Sequence, residues 1–377
     1  MMYAELGGSR TRRTVTGMAR VLGALRLDGM LLSGLIVVSL FGLFVLWSAA
    51  GDNTSLWFSQ LARIGIGFAL LIVLSQVPDH FLRMLSPAIY LIGLVLLVVV
   101  AIAGDIGKGA QRWLDLGVIR FQPSEIMKLA VPMMSAWYLH QRPLPPSFRD
   151  VAVLLLFVFL PVALIAEQPD LGTALLVAAS GLIVLVMGGL SPAYLLGVAA
   201  VAGAAVPLVW HLMHDYQRQR VLTLLDPQSD ALGAGYHIIQ SQIAIGSGGI
   251  FGKGWTNGSQ AQLEFLPERS TDFIFAVIGE ELGLLGLFAL LIGYLFIVGR
   301  GLYMSMQCRD AFARLLAGSI ALTFFVYACV NAGMVMGLLP VVGVPLPLVS
   351  YGGTSFVTLM AGFGILMSLH SSRKLLG

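Results

Sequence analysis

Long uninterrupted runs of apolar residues, separated by short polar stretches, dominate the chain. An apolar run of about 20 residues with few charges is long enough to cross a bilayer as a helix. Ten such runs are present, and most of the connections between them are short. They are centred near residues 30–50, 58–77, 84–104, 123–140, 149–166, 170–188, 191–212, 272–298, 311–336 and 353–370. The pattern predicts an all-α polytopic membrane protein with ten transmembrane helices.

The composition supports a membrane protein and argues against an ordinary soluble domain. Hydrophobic residues make up 58% of the 377-residue chain, and the mean hydropathy is +0.89. Charged residues make up only 11%, compared with roughly 25% in soluble domains. The 44 glycines also exceed the usual share of about 7%. Small residues of this kind let membrane helices pack closely.

The distribution of Lys and Arg predicts the orientation in the membrane. With the N-terminus placed in the cytoplasm, 13 of the 22 basic residues fall in cytoplasmic segments and seven in external segments. This bias follows the positive-inside rule and places both termini in the cytoplasm. Residues 1–29 form a basic cytoplasmic segment, and the first apolar run has no small-residue cleavage site after it, so we interpret it as an anchor. Residues 30–377 form a single membrane domain with one large external loop, 213–271, between helices seven and eight.

The glycine-rich stretch of this loop, "GSGGIFGKGWTNGS" (246–259), does not match a nucleotide-binding motif. A P-loop would need Gly at the position of Ser247 and Ser or Thr at that of Gly254, and a dinucleotide fingerprint would need Gly at that of Phe251. Two interpretations remain: a loop with unusual backbone angles, or a backbone approach to a bound phosphate. The two cysteines form no disulfide framework, and no helical metal-ligand pair is present. Nothing indicates a nucleic-acid partner.

Three charged residues lie together at the start of the eighth apolar run, in "LPERSTDFIF" (266–275). Glu268, Arg269 and Asp272 could be water-side residues at a membrane boundary, with Asp272 capping the helix, because an N-cap carboxylate accepts backbone N–H bonds. A cap, however, requires neither of the other two charges. A catalytic or binding role is therefore an equal alternative. Asp170, in "EQPDLGTA", has the same two interpretations, as a binding residue or as the cap of helix six.

Further ionisable residues lie within the predicted helices, where charges are costly and are functional suspects by default. Glu125 and Lys128 are three residues apart and share one helix face, so they could form a structural pair or one of them could contact a substrate. Glu280 and Glu281 lie about 12 Å deeper than the start of helix eight. They could serve a function or could pair with Arg63 or Lys128.

Five segments of the chain resemble signatures of the SEDS family, the shape, elongation, division and sporulation proteins. The segments occur in the expected order and span most of the chain, which makes the resemblance highly specific. The Arg of "LPER" and the sequence "PVVGVPLPLVSYGG" are more similar to the rod-shape branch than to the division branch. The five segments are "QRWLDLGVIRFQPSEIMKLA" (111–130), "EQPDLGTALL" (167–176), "IAIGSGGIFGKGW" (243–255), "LPERSTDFIFAVIGEELG" (266–283) and "GLLPVVGVPLPLVSYGGTS" (337–355).

The resemblance implies a peptidoglycan glycosyltransferase that polymerises lipid II on the outer face of the bacterial cytoplasmic (inner) membrane during cell elongation and rod-shape maintenance. It also implies a class B penicillin-binding protein, which cross-links the glycan, as a partner, together with other elongation-complex proteins. In the family pattern, the Asp of "TDFIF" is the essential carboxylate, which is Asp272. Arg112, Arg120 and the E-x-x-K pair, Glu125 and Lys128, also match functional positions.

The chemistry of such a reaction fits the residues. A lipid-linked donor carries its own activation, and a positioned carboxylate such as Asp272 can take the proton of the acceptor hydroxyl. External cations, or a divalent ion such as Mg²⁺ or Mn²⁺, would stabilise the pyrophosphate that leaves. We therefore predict Asp272 as the catalytic base. The predicted substrate-binding residues are Arg112, Arg120, Glu125, Lys128, Lys253, Glu268, Arg269, Asp170 and Glu280.

Two alternatives from other functional classes remain. A flippase or transporter of the same lipid-linked precursor could use Glu280 and Glu281 to couple transport to protons. Matched halves with discontinuous helices would support that interpretation, but the sequence has no clear repeat symmetry. A non-catalytic scaffold that positions a penicillin-binding protein is the third possibility.

Overall fold

A computed structural model describes residues 22–371, except for positions 52, 108–109, 116–119, 231–232, 264 and 267 and scattered positions between 192 and 214. The long helices carry the apolar runs, and a short sheet and several short helices lie between them. The helices are α1 (Gly29–Ala50), α2 (Thr54–Ser75), α3 (Asp79–Ala103), α4 (Pro123–Leu139), α5 (Phe148–Glu167), α6 (Leu171–Met187), α7 (Asp215–Leu225), α8 (Ala234–Gly248), α9 (Ser259–Gln262), α10 (Ile274–Glu281), α11 (Gly283–Gln307), α12 (Ala311–Val335) and α13 (Gly353–Ser371).

Within the described part of the chain, seven helices are long and apolar enough to cross a membrane. They are α1, α2, α3, α5, α11, α12 and α13. Helices α4 and α6 coincide with two further predicted spans but are only 17 residues long. The predicted seventh span, residues 191–212, is interrupted by positions that lie outside the described residues. The helical, multi-pass membrane architecture is thus confirmed.

The all-α prediction is wrong for the segment between α3 and α4, which forms a small antiparallel sheet. Its strands are β1 (Asp105–Gly107), β2 (Ala110–Asp115) and β3 (Arg120–Phe121), in the order β1-β2-β3. Asp105 pairs with Trp113, and Leu114 pairs with Phe121. Antiparallel strands joined by short turns pair their own backbone groups, so even a short connecting segment can form a sheet.

The prediction of one continuous eighth helix is also wrong, because the helix is broken between α10 and α11. Gly283 adopts a positive φ of 65°, which interrupts the helical bonding. The glycine-rich stretch satisfies the interrupted backbone: the N–H groups of Lys253 and Gly254 donate to the carbonyls of Glu280 and Glu281. In return, Leu284 and Leu285 donate to the carbonyls of Gly249 and Ile250. Broken helices within a membrane require such partners, since no water is available there.

Close backbone approach at this break explains the glycines of the stretch. A Cβ atom on Gly252, whose φ is +78°, would lie 2.2 Å from the Glu281 carbonyl oxygen, and one on Gly248 would lie 1.9 Å from that of Gly279. A side chain at either position therefore collides with main-chain atoms. This geometry supports the first interpretation of the glycine-rich sequence, a loop with special backbone requirements.

Helix α12 is the central element of the membrane domain. It packs against α4, α6, α11 and α13. In its most apolar 18-residue stretch, 72% of the residues are buried. The corresponding share is 22% in α2, which lies at the periphery. Small residues permit the close packing: a Cβ on Gly301 of α11 would lie 2.8 Å from Cβ of Ala321 in α12. The central position lets α12 contact several parts of the candidate site.

Candidate active site

The Asp272 turn (residues 268–272) leads directly into α10. Within it, the Thr271 hydroxyl donates to the Glu268 carboxylate at 2.7 Å, and the Phe273 N–H donates to the Glu268 carbonyl at 3.2 Å. The N-cap of α10 is Phe273, whose side chain makes no capping hydrogen bond. The interpretation of Asp272 as an N-cap is therefore wrong. The side chain of Asp272 is half-buried rather than enclosed.

Asn331 connects the Asp272 turn to two other elements. It is fully buried near the end of α12, and its Nδ2 donates to the carbonyl of Asp272 at 2.8 Å and to that of Val344 at 2.7 Å. One amide group thereby fixes the backbone of Asp272 relative to α12 and to the Pro/Gly loop (residues 337–352). Its Oδ1 atom is buried without a hydrogen-bond partner among the described residues.

The Pro/Gly loop packs against the Asp272 turn. The Ser350 hydroxyl donates to the Thr271 carbonyl, and the Tyr351 N–H donates to the Ser270 carbonyl at 2.9 Å. Gly343 has a positive φ of 70°, and a Cβ atom there would lie 3.5 Å from Oδ2 of Asp272. The loop backbone therefore lies next to the carboxylate.

The side chain of Arg269 points toward α9 and the end of α1. Its guanidinium donates to the Ala261 carbonyl in α9, and Nη2 lies 3.3 Å from the Cβ position of Gly51, which follows α1. We refer to this part of the bundle, defined by Gly51, Asp272, Asn331 and the Pro/Gly loop, as the Asp272 end. Arg269 thus packs the Asp272 turn against neighbouring helices, and its predicted contact with substrate stays a prediction.

Glu125 and Lys128 form a nearly fully buried ion pair in α4, with Nζ 2.7 Å from Oε1. The ammonium group lies 5.1 Å from the ring centroid of Tyr327 in α12. Tyr327 and Asn331 are four residues apart on one face of that helix, which places them about 6 Å apart along its axis. Lys128 therefore lies against α12 at a position one turn before the residue that bonds to the Asp272 carbonyl.

Glu280 is fully buried, and both of its carboxylate oxygens are occupied. Oε1 accepts from Lys253 Nζ at 2.6 Å and from the Ser259 hydroxyl at 3.1 Å. The N–H groups of Gln260 and Ala261 also donate to this carboxylate, at 3.0 Å and 3.3 Å. The predicted pairing of Glu280 with Arg63 or Lys128 is wrong, since Lys253 is its partner. These contacts give Glu280 and Lys253 a structural role in holding α9 beside the helix break.

Glu281 is similarly enclosed. Its Oε1 accepts from the Ser48 hydroxyl in α1 at 2.6 Å. A Cβ atom on Gly258 would lie 3.1 Å from the same oxygen. The carboxylate therefore joins the helix break to α1 and to the glycine-rich loop, and the prediction that it pairs with Arg63 or Lys128 is wrong for this residue as well.

Arg112 and Asp170 organise the junction between the sheet and α6. Arg112 Nε donates to the Gln168 carbonyl at 3.0 Å, and its Nη2 donates to that of Pro169. Asp170 caps α6 by accepting from the Thr173 N–H at 3.1 Å, and it also accepts from Gln122 Nε2 at 2.8 Å. The capping interpretation of Asp170 is thus supported. Arg120 belongs to β3, but its side chain lies outside the described part of the structure.

His237 is an unanticipated neighbour of the site. Its ring stacks on Phe273 with the centroids 5.5 Å apart. Burial lowers the pKa of His237 below its ordinary value of 6.5, although the charges of Glu268 and Asp230 act in the opposite direction. His237 Nδ1 is buried, with no hydrogen-bond partner in the described part of the chain. The neutral imidazole is therefore the favoured form.

Among the described residues, no three His, Cys, Asp or Glu side chains are grouped closely enough to hold a metal ion by themselves. Mg²⁺ in phosphoryl and pyrophosphate sites commonly takes only one or two carboxylates from the protein and its other ligands from phosphate and water. Asp272 fits such a limited protein contribution. It would be the residue that holds a divalent ion if substrate phosphates supplied the rest.

Sequence reasoning missed Asn331, Tyr327 and Ser350, which hold the predicted residues in place. Only Asn331 carries a local signal, because an amide in the middle of an apolar run favours interhelical hydrogen bonding. The roles of the other two depend on contacts between segments that are distant in the sequence.

Comparison with known proteins agrees with this architecture. Residues 24–375 match the family described as "Cell cycle protein", which comprises FtsW, RodA and SpoVE. The chain is 53% identical over 352 residues to the peptidoglycan glycosyltransferase MrdB of Escherichia coli K12. This alignment covers 93% of the chain and 95% of MrdB.

Two solved structures share the fold. A chain from a peptidoglycan synthase complex, described as structurally coordinating polymerization and crosslinking, superposes with a TM-score of 0.81 at 32% identity, covering 92% of this chain and 98% of that one. The rod shape determining protein RodA of Thermus thermophilus superposes with a TM-score of 0.70 at 29% identity, covering 92% and 97%. The chain therefore belongs to the FtsW/RodA/SpoVE family, the SEDS family that its motifs resemble.

Proposed function

We propose that this protein is a peptidoglycan glycosyltransferase that polymerises lipid II during cell elongation and rod-shape maintenance. The observation that carries the proposal is the construction of the Asp272 end. Asn331 and the Pro/Gly loop hold the backbone of a half-buried carboxylate, and Lys128 lies against Tyr327, one helical turn before Asn331. The names of the similar proteins, above all MrdB at 53% identity, support the same activity.

Asp272 acts as the general base in this mechanism. It takes the proton from the acceptor sugar hydroxyl as that oxygen attacks the anomeric carbon of the donor. The bond between the anomeric carbon and the phosphate oxygen breaks, and the electron pair leaves with the polyprenyl pyrophosphate. The new glycosidic bond forms on the opposite face, so the configuration at that carbon is inverted.

Cations near the site stabilise the pyrophosphate that leaves. Lys128 is one such cation: it lies against Tyr327, one turn before Asn331 on α12, and it is paired with Glu125. Arg112 and Arg120 lie in the sheet that precedes α4, so they would contact the substrate from the same end of the bundle. A divalent ion, where one binds, supplies further charge stabilisation to the same phosphates.

The topology proposed for this reaction has ten transmembrane helices, with residues 191–212 forming the seventh. The distribution of Lys and Arg favours cytoplasmic termini, with residues 1–29 as a basic cytoplasmic segment and 30–377 as one membrane domain. The Asp272 end then faces the outside of the inner membrane. The sugar of lipid II reaches Asp272 from the water while its polyprenyl tail stays in the bilayer.

The proposed partner is a class B penicillin-binding protein, whose transpeptidase domain cross-links the glycan that this protein makes. Support comes from the similarity to a chain of a synthase complex that coordinates polymerization and crosslinking. Other proteins of the elongation complex would associate through the same assembly.

The flippase alternative is less consistent with the side-chain contacts. A proton-coupled carrier needs carboxylates that exchange protons during transport. Lys253, Ser259 and two backbone N–H groups surround Glu280, and Ser48 donates to Glu281. Those contacts occupy the carboxylate oxygens and hold both side chains in place beside the helix break.

Polymerisation of purified lipid II tests the proposal. The parent and Asp272→Asn are compared at equal folded amounts, with a transpeptidase-dead class B partner present. We expect polymer from the parent and none from the variant. Equal polymer from both would remove Asp272 from catalysis. No polymer from either, with the partner confirmed bound, would favour the flippase, and a scaffold would bind the partner without polymer or lipid transport.

A further inference from the structure

Arg63 is a charged residue inside a membrane helix that the described structure leaves without a counter-ion. It lies nine residues after Thr54, the first residue of α2, which is about 13 Å along the helix. Its guanidinium stacks on the ring of Tyr351, with Cζ 4.3 Å from the centroid. The Nη1 atom is buried and has no hydrogen-bond partner among the described residues.

Beyond the first turn of each helix, the other cations in the described membrane helices have acidic partners, whereas Arg149 and Arg314 lie in the first turns of α5 and α12. Lys128 pairs with Glu125 at 2.7 Å, and Arg300 pairs with Asp28 at 2.6 Å. Arginine stays protonated in proteins, so Arg63 brings a full positive charge into the bilayer region. A buried cation without an anion is costly, and ionisable groups at this depth mark sites of function. The missing anion of Arg63 is therefore expected from outside the chain.

The position of Arg63 relates it to the candidate site. Gln60, three residues earlier on the same face of α2, is buried; its Nε2 donates to the Ser350 carbonyl at 3.3 Å, and its Oε1 accepts from the Gly352 N–H at 3.4 Å. Ser350 and Tyr351 are the residues that bond to the Asp272 turn. Arg63 is thus separated from that turn by one hydrogen-bonded layer of the Pro/Gly loop.

Gly353 and Tyr351 lie close to the Arg63 guanidinium and limit the directions from which a ligand can approach it. A Cβ atom on Gly353 would lie 3.1 Å from Arg63 Nε, so the glycine allows the loop to approach the guanidinium closely. Tyr351 covers one face of the planar group. A ligand therefore meets the edge of the guanidinium, where its N–H donors point, and this edge matches the oxygens of a phosphate.

We propose that Arg63 binds a phosphate oxygen of the lipid-linked diphosphate that the enzyme uses. This inference rests on the proposed function, since it takes the substrate class from it. In a lipid-linked sugar the phosphates lie between the sugar head and the polyprenyl tail. Arg63 lies about 13 Å along α2 from Thr54 and against Tyr351 of the Pro/Gly loop, a position that suits those phosphates when the sugar reaches Asp272.

Direct binding of undecaprenyl diphosphate tests the inference without requiring polymerisation. The parent, Arg63→Gln and Arg63→Lys are reconstituted in phosphatidylcholine nanodiscs, and bound diphosphate lipid is measured by titration. The control is Arg83→Gln, which removes an arginine from the other end of the bundle, where it forms an exposed pair with Asp310 at 3.4 Å. We expect Arg63→Gln to weaken binding about tenfold, Arg63→Lys to lose less, and the control to match the parent.

Steady-state polymerisation gives a second, independent readout. Because the diphosphate is already charged in the ground state, Arg63→Gln should raise KM for lipid II about tenfold, and the further charge that develops on the leaving diphosphate should make kcat fall as well. Unchanged binding and KM in this variant would overturn the inference. Competition by phosphatidic acid as strong as that of undecaprenyl diphosphate would also overturn it, because the anion would then be that of an ordinary membrane phospholipid.

These outcomes separate the inference from the proposed function. If the parent makes no polymer but binds undecaprenyl diphosphate through Arg63, the glycosyltransferase proposal fails and the phosphate site stands. If the parent makes polymer and Arg63→Gln behaves as the parent does, only the phosphate site fails. Thermal unfolding of each variant verifies that the compared proteins are equally folded.

Discussion

Two carboxylates of one short segment, Asp272 and Glu280, have opposite environments. Glu280 is fully buried, and Lys253, Ser259 and the backbone of α9 occupy both of its oxygens. Asp272 is half-buried, and the residue that fixes it, Asn331, bonds to its main-chain carbonyl. The sequence shows only two acids eight residues apart at the edge of an apolar run.

This difference in environment distinguishes a carboxylate with a structural role from one that can take part in chemistry. A carboxylate that accepts four or more bonds is part of the scaffold, since neighbouring donors occupy both of its oxygens. When hydrogen bonds to the backbone fix a residue, its carboxylate can contact a substrate and the residue still stays in place. Glu280 fits the first description, and the bond from Asn331 to the Asp272 carbonyl is of the second kind.

Matched acid-to-amide changes give the largest expected effects and test this contrast directly. Asp272→Asn should lower polymerisation by at least about 10²–10⁴-fold with little change in stability, because it removes the base and retains the side-chain shape. Glu280→Gln should reduce the free energy of unfolding by about 2–3 kcal/mol, because its amide N–H groups would face the donors around it. Lipid II polymerisation and thermal unfolding in detergent measure the two quantities.

Each variant is the control for the other. A stable Glu280→Gln with parental unfolding would contradict the structural role. An Asp272→Asn protein that unfolds at a much lower temperature would place Asp272 in the scaffold together with Glu280.

The helix break beside Glu280 is the next target. Gly252→Ala should lower stability by about 2 kcal/mol or more, because its Cβ would lie 2.2 Å from the Glu281 carbonyl oxygen at a positive φ of 78°. Gly246→Ala in α8 is the matched control, because a Cβ there has nothing within 4 Å, and alanine favours the helix by up to about 1 kcal/mol. Equal unfolding temperatures for the two variants would mean that the loop does not pack into the break.

The sequence predicts the positions of the helices much better than it predicts where a helix is broken. Apolar length located the helices well: the predicted spans 149–166 and 311–336 correspond to Phe148–Glu167 and Ala311–Val335. Hydropathy records whether a segment can lie in lipid. It does not indicate where backbone groups leave the helical hydrogen-bonding pattern and bond to another segment. The break at Gly283 therefore could not be predicted from the apolar run.

The contacts of the candidate site were predictable only where they are local. The pairing of Glu125 with Lys128, three residues apart, follows from helical spacing and is confirmed. The partner of Glu280 is Lys253, 27 residues away across a loop, and helical spacing carries no information on it. The role of Asn331 depends likewise on where α12 meets the Asp272 turn.

Asn331 offers a smaller test of how Asp272 is positioned. Asn331→Ala removes the donors to the carbonyls of Asp272 and Val344, so the carboxylate should lose its alignment. We expect kcat for lipid II polymerisation to fall about tenfold, with KM changed less than threefold. A purely structural role would instead lower the amount of folded protein and leave kcat per folded molecule unchanged.

The smallest effect expected is a pH dependence at His237, the residue that stacks on Phe273 beside Asp272. Because burial lowers the pKa of His237 in the folded state, the unfolded chain binds a proton here at a higher pH than the folded one does. Its contribution to stability is therefore complete above pH 6.5 and is lost as the pH falls below that value toward the lowered folded pKa. We expect the unfolding temperature of the parent to fall more between pH 7.5 and pH 5.5 than that of His237→Gln, by a few degrees. Identical pH profiles would show that His237 is protonated equally in the folded and unfolded states, and that the ring against Phe273 admits the charge that burial is expected to exclude.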